Sequence, residues 1–427
     1  MSEPGVAAHE TIGFVTGRDE DALGLYLSIP FCRSKCTYCN FASGVYPQSE
    51  HERYVHRLTE DLAASGDWAA KAGADLPRRV DTVYLGGGTP SLLASELVDR
   101  LFASVRAAFD LADDAEITME CAPGHLSDET LGAIAAAGVN RVSLGVQSFV
   151  DREARASGRL HDRAAVEADL RRLRAAGITN LNVDLIAGLA GQTLASWDES
   201  LQALIETGVP HASIYMLEVD EDSRLGRELL AGGARYGAGL VPGDETIVRM
   251  YERAIERLNG AGLAQYEISN FCAPRFQSRH NLRYWERRPY LGVGLDASSA
   301  LHAAASRTSE VEGTKPGPML RATTTDDLKK YLAGSPMKET AWLAPERQHE
   351  EAWFLGLRLN GGVRVAELEA EFGPALVESA VAIAKQLAED GLLEFDGQTA
   401  RLTARGRLLS NEVFQEFLEL ETKVAAS

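Results

Sequence analysis

The chain lacks any run of about 18 apolar residues, the length a helix needs to cross a bilayer. The stretch Met1–Glu20 has no apolar core of the kind a secretory signal requires, so residues 1–22 are read as a disordered tail. Basic residues are in deficit. With 43 Lys and Arg against 62 Asp and Glu, the formal net charge is −19, which argues against a nucleic-acid partner held through its phosphates. A dinucleotide-binding glycine fingerprint is absent as well. Cysteine is scarce, with five in 427 residues. What is present is an ordinary globular composition, 45% hydrophobic and 25% charged, in a chain long enough for a main domain and one or two smaller units.

Three of the five cysteines fall within eight residues, Cys32-Arg33-Ser34-Lys35-Cys36-Thr37-Tyr38-Cys39, just after a Pro30-Phe31 turn. Thiolates at such spacing can converge on one metal centre. Zinc would need a fourth ligand to close a structural site, and none follows at suitable spacing. A cubane cluster has four irons, so three thiolates would leave the fourth open to another ligand. The plain alternative is a buried turn with incidental thiols, and the concentration of a scarce residue argues against it. Reduced cysteines and the missing export signal together point to the cytoplasm.

From Gly24 onward, short β-rich runs alternate with helical patterns. The expected strands are Leu25–Ile29, Val80–Leu85, Glu116–Glu120, Arg141–Val146, Leu181–Ile186 and Ser213–Glu218. The expected helices between them are Tyr54–Ala64, Ser95–Phe109, Asp128–Ala137, Ala164–Ala176 and Leu194–Thr207. Such alternation predicts an α/β fold, a parallel sheet with helices outside, closed as a partial (β/α)6 barrel whose function gathers at the C-terminal ends of the strands. Polar motifs fall at those ends. The second strand runs into Gly86-Gly87-Gly88-Thr89-Pro90, where glycines would let a ligand approach and expose N–H donors. Glu120 ends the third strand, Gln147 follows the fourth with Arg159 beyond it, and Asp184 lies on the fifth.

A Gly-rich loop, Gly232–Gly243, precedes an expected helix, Asp244–Asn259. Then Arg279-His280-Asn281-Leu282-Arg283-Tyr284-Trp285 places His280 and Tyr284 four apart, on one face of a helix. Imidazole can ligate haem iron, and Tyr and Trp offer flat apolar faces to a porphyrin. Residue types alone fit equally a structural His beside core aromatics. Thr308–Pro318 reads as a polar linker. The tail from about Ala344 shows helical patterns at Glu346–Leu359, Val363–Phe372 and Ala375–Asp390. A hairpin with an Asp396-Gly397 turn follows, then a helix from Ala404 to about Leu420: a winged-helix pattern. Its acidity favours a docking or lid role over DNA binding. The expected division is residues 1–22 tail, 23–262 barrel, 263–343 connecting segment and 344–427 small C-terminal α+β winged-helix-like domain.

The cysteine run, with aromatic Tyr38 before its last cysteine, resembles the signature of the radical S-adenosylmethionine (SAM) superfamily, and Gly86–Pro90 resembles that superfamily's turn for the SAM amino group. The series from Gly24 to the C-terminus resembles the oxygen-independent coproporphyrinogen III oxidase family. This resemblance implies a [4Fe–4S] cluster on Cys32, Cys36 and Cys39, with SAM on the open iron. It also implies a SAM pocket lined by Tyr26, Gly87, Gly88, Thr89, Glu120, Gln147, Arg159 and Asp184, with Glu218 contributing its backbone. The run from His280 to Trp285 resembles one that marks a haem-chaperone branch of the family. It implies haem bound through His280, Tyr284 and Trp285, an acceptor protein for the haem, and an electron donor if SAM is cleaved.

Departures from the pattern sharpen the choice of branch. The oxidase branch carries a further cysteine where this chain has Phe41, and it carries an N-terminal extension for which little room exists here. Both differences favour a haem chaperone over the alternative, an oxidative decarboxylase of coproporphyrinogen III. Three positions depart from the chaperone pattern too. Ala122 replaces an Asn, Ala190 replaces a Pro, and Leu295-Asp296-Ala297-Ser298 stands where a Gly-Ala-His run is usual, which leaves His280 as the expected haem ligand and His302 as its nearest substitute.

Overall fold

The computed structural model describes residues 22–304, 317–334 and 336–418. Most of the expected tail 1–22 and linker Thr308–Pro318 lie outside them. Six strands, β1 (Leu23–Ile29), β2 (Arg79–Gly87), β3 (Asp110–Cys121), β4 (Arg141–Gln147), β5 (Asn180–Ala187) and β6 (His211–Met216), lie side by side in chain order, all parallel. Helices cross between them, as the alternation requires.

Each of the six strands alternates in sequence. Leu25, Leu27 and Ile29, Val83 and Leu85, Ile117 and Met119, Val142 and Leu144, and Leu181 and Val183 all belong to one buried apolar cluster beneath the helices. The intervening positions are polar: Tyr26 and Ser28, Thr82 and Tyr84, Thr118 and Glu120, Arg141 and Ser143, Asn182 and Asp184, and His211 and Ser213. Successive strand side chains point to opposite faces. The sheet therefore curls around a polar interior, and its outer face supplies the core, at about 1.5–3 kcal/mol per buried aliphatic side chain. Helix limits follow local chemistry. The first expected helix extends to Gln48–Ala72, because Pro47 precedes it and Gly73, at φ 78°, closes it.

The sheet continues beyond the six strands. Residues 263–343, expected as a connecting segment, contribute six more strands to it: β7 (Ala264–Gln265), β8 (Asn270–Cys272), β9 (Tyr290–Val293), β10 (Ser298–His302), β11 (Met319–Thr324) and β12 (Met337–Leu343). β9 joins β1 in parallel and β10–β12 follow antiparallel, while β8 and β7 extend the other edge from β6.

The C-terminal unit has its own core, in which the Trp353 and Phe417 rings stack at 4.8 Å. Its helices Pro345–Gly356, Val365–Phe372 and Pro374–Glu389 pack with a small antiparallel sheet of β13 (Val363–Arg364), which follows the first helix, and β14 (Leu393–Phe395) and β15 (Thr399–Leu402), which follow the third. The wing turns at Asp396-Gly397, with Gly397 at φ 85°. The expected last helix breaks at Leu409 into Ala404–Leu408 and Ser410–Glu416. Two ion pairs, Arg287–Glu371 at 2.6 Å and Arg321–Glu351, fasten this unit to the barrel.

Candidate functional site at the barrel mouth

The cysteine loop leaves β1 through Pro30-Phe31 and is tied down by its backbone. Cys32 N–H donates to Gly44 O at 2.8 Å, Gly44 N–H to Pro30 O at 2.9 Å and Thr37 N–H to Ser157 O at 3.0 Å. All five cysteines are free thiols. Cys32, Cys36 and Cys39 line one cavity of about 590 Å³ that opens at the C-terminal ends of the strands. Among the described residues, no three His, Cys, Asp or Glu side chains converge to hold a single metal ion. Thr89 Oγ1 lies 3.9 Å from Cys32 Sγ, and Arg159 Nη1 is 3.5 Å from Cys36 Sγ. Both are donors that would stabilise thiolate charge.

The glycine turn serves differently from the expectation. Gly88 N–H donates to Ile29 O and Thr89 N–H to Phe31 O, each at 2.8 Å, and Gly87 N–H bonds to the Glu120 carboxylate. The donors expected to be exposed are thus used inside the protein. Gly88 is required because a Cβ there would sit 2.8 Å from Phe31 O and 2.9 Å from Ile29 O. Its role is to let the cysteine loop press against the β2 end.

The other strand-end residues meet around the same cavity. Glu120 accepts a hydrogen bond from Tyr84 OH at 2.9 Å. Burial is the main cause that raises its pKa from 4.5 to about 7, with Asp184 adding to it. Asp184 accepts from Ser143 Oγ at 3.0 Å and from Asn182 Nδ2 at 2.7 Å, and burial raises its pKa. Gln147, which lines the cavity, holds φ 70°, and its buried side-chain oxygen has no partner among the described residues. Arg159 also donates to Gly145 O. Tyr38 lines the cavity beside them, and burial raises its pKa. Glu218 lines it as well, but β6 ends at Met216, so Glu218 stands exposed in the following loop rather than on the strand. Tyr26 lies just below, its ring 6.1 Å from that of Tyr84.

His280, Tyr284 and Trp285 are not part of this group. Their helix, Arg279–Trp285, closes the opposite, N-terminal end of the barrel. His280 is 0% exposed. Its Nδ1 pairs with Thr82 Oγ1 at 2.9 Å and its Nε2 with Tyr284 OH at 2.8 Å, while burial lowers its pKa to about 3. Neither ring nitrogen is open to haem iron here. The motif folds inward onto β2, so in this structure the ring expected to ligate haem is engaged inside the protein. Arg283, also 0% exposed, pairs with Asp81 and donates to Ala22 O at 2.8 Å and Pro289 O at 2.9 Å. The departure at Ser298 falls at an exposed strand start, and Asp296 takes φ 53°, a conformation that favours glycine.

Sequence reasoning passed over Tyr84 and Arg358. Tyr84 could have been found from the two-residue period of β2, which puts it on the face of Thr82. Arg358 had no such signal. It reaches the cavity from the C-terminal unit, whose Leu408, Ser410, Asn411 and Glu412 form the facing wall.

Comparisons with known proteins agree with this geometry. Residues 26–204 match the model of the Radical SAM superfamily and residues 343–409 that of the HemN C-terminal domain. Parallel strands ending at a three-cysteine loop therefore belong to a radical SAM protein. The solved coproporphyrinogen III oxidase HemN from Escherichia coli superposes with a TM-score of 0.77 at 23% identity, over 93% of this chain and 90% of that one, a likeness of fold. The chain is 32% identical to the heme chaperone HemW of Lactococcus lactis subsp. lactis (strain IL1403), over 92% of this chain and 96% of the relative. It is 35% identical to the heme chaperone HemW of Mycobacterium tuberculosis (strain H37Rv), over 92% and 94%. The chain belongs to the heme chaperone HemW family. Among its described residues no helix is long and apolar enough to cross a membrane.

Proposed function

We propose that this protein is a haem chaperone. It binds haem and passes it to an acceptor protein, and it carries a [4Fe–4S] cluster on Cys32, Cys36 and Cys39 with SAM beside it. The observation that carries the reading is the match to HemW relatives along almost the whole chain, C-terminal unit included. Phe41, 64% exposed where the oxidase branch has cysteine, agrees with it.

The residues fit the two groups. The cysteine loop offers three reduced thiols and two nearby donors to a cluster. Gln147, with its free oxygen, Glu120 and Asp184 offer acceptors for SAM hydroxyl and amino groups, and Arg159 offers a cation for its carboxylate. When bound, SAM on a reduced cluster supplies radical chemistry. Whether this protein turns SAM over depends on an electron donor. The part of the chain's own residues is to hold both groups, and the C-terminal wall at Leu408–Glu412 limits solvent access to them.

The test pairs two measurements on anaerobically reconstituted protein. Added haem should give a saturable Soret shift. Incubation with coproporphyrinogen III, SAM and reductant should give no protoporphyrinogen. Formation of protoporphyrinogen without a Soret response would replace the chaperone with the decarboxylase.

A further inference from the structure

The mouth cavity holds two arginines in different states. Arg159 is engaged with Cys36 and Gly145. Arg358 lines the far end of the cavity, and among the described residues its guanidinium has neither an ion pair nor a hydrogen-bond partner; its Nε is buried without one. Its guanidinium carbon sits over the Trp285 ring, 4.2 Å from the centroid. Such a cation–π contact holds a guanidinium in place while leaving its N–H donors free for a ligand.

The surroundings add charge without satisfying it. Glu267 is the carboxylate that feels Arg358, yet it is 0% exposed and its bonded oxygen accepts from Ser269 N–H at 3.0 Å and from Asn270. Glu412 lines the same cavity but is exposed and makes no ion pair with Arg358. Burial raises the Tyr251 hydroxyl to about 12 against the pull of Arg407 and Arg358. An oriented, unpaired guanidinium in a part-buried cavity is a receptor for a planar anion, and a carboxylate fits its fork in two-pronged fashion.

We propose that Arg358 anchors a carboxylate of the ligand that enters this cavity and that Trp285 positions Arg358. The inference rests on the haem-chaperone reading, in which the carboxylate is a haem propionate. Haem then lies between Arg358 and the cysteine loop. The helix at the barrel floor takes part through Trp285 rather than through His280.

Haem and its dimethyl ester, which has the same macrocycle without carboxylates, separate the possibilities. Wild-type protein should bind haem about tenfold to a hundredfold more tightly than the ester, the size of a charge-assisted hydrogen bond. Arg358→Gln should lose that preference while binding the ester as wild type does, with unchanged SAM binding as the folding control. Trp285→Leu should weaken haem but not ester, and Trp285→Phe should restore it. Equal wild-type affinity for haem and ester overturns the proposal, as does an Arg358→Gln chain that still discriminates. Equal loss of both ligands in Trp285→Leu overturns the positioning role. A wild-type chain that binds neither overturns the chaperone reading and this inference with it.

Discussion

The two ends of the barrel use similar residues in opposite ways. At the floor, His280 has a partner on each ring nitrogen, and Arg283 spends its donors on Asp81 and two carbonyls. At the mouth, among the described residues, Gln147 keeps a buried oxygen without a partner, Arg358 keeps its guanidinium free, and three thiols line one cavity. Unmet bonding capacity is costly in a folded chain, so free groups that line a cavity are candidate ligand contacts. At the floor the ring nitrogens of His280 and the end groups of Arg283 are met inside the protein, as in a scaffold, although the buried Trp285 Nε1 has no partner among the described residues. A conspicuous motif is therefore no guide to which of the two it serves.

The largest effect that would sharpen this contrast is loss of the cluster. Cys36 is buried, bonded through its thiol to Arg159, and shares the cavity with Cys32 and Cys39. If each of the three thiolates holds one iron, as proposed, Cys36→Ala should abolish the [4Fe–4S] cluster, read as iron content falling from about four per chain and loss of its visible absorption. A variant that keeps its full iron after anaerobic reconstitution would mean that the mouth is not a cluster site.

Much of this architecture is legible in the sequence because two-residue periods are local. The apolar set Leu181, Val183 and Leu185 and the polar set Asn182 and Asp184 announce the outer and inner faces of β5 without any tertiary knowledge. The Asp396-Gly397 hairpin is local in the same sense. The strands of residues 263–343 are not. They are two to seven residues long, and pairing with distant edges decides them rather than their own pattern. The fate of the glycine-turn N–H groups depends on Ile29 and Phe31, almost sixty residues away. The direction of His280 depends on Thr82, across a separation of 198 residues. Arg358 shares a cavity with the cysteine loop only because the C-terminal unit folds back over the mouth.

An intermediate effect tests whether Glu120 is poised rather than merely buried. Its folded pKa is raised from 4.5 to about 7, mainly by burial. A raised carboxylate binds more protons in the folded state between those values, so folding stability falls as pH rises from about 4.5 through 7. The full span corresponds to roughly 3 kcal/mol, at 1.36 kcal/mol per pH unit. SAM hydroxyl and amino groups are donors and would favour the ionised form, so wild-type SAM affinity should climb from pH 6 to 8. Glu120→Gln should bind SAM about tenfold to a hundredfold more weakly at pH 8, with a flat profile, and should gain stability there relative to wild type. Identical pH profiles for the two proteins would remove Glu120 from the SAM pocket.

The smallest functional effect belongs to the most conspicuous residue. His280 stacks on Tyr84 at 5.2 Å, and Tyr84 in turn donates to Glu120, so His280 reaches the mouth through an aromatic spacer, whereas Trp285 of the same helix meets Arg358 directly. His280→Ala would leave Thr82 and Tyr284 without their partner and open a void in a packed interior. A loss of about 2–4 kcal/mol in stability follows, measured by denaturant unfolding. Haem binding, by contrast, should change by no more than about twofold at a temperature where the variant is folded, because the side chain touches neither the cavity nor Arg358. If the folded variant instead lost its Soret shift, the floor helix would have to turn outward on binding haem. The division between a satisfied scaffold and an open mouth would then fail at its clearest point.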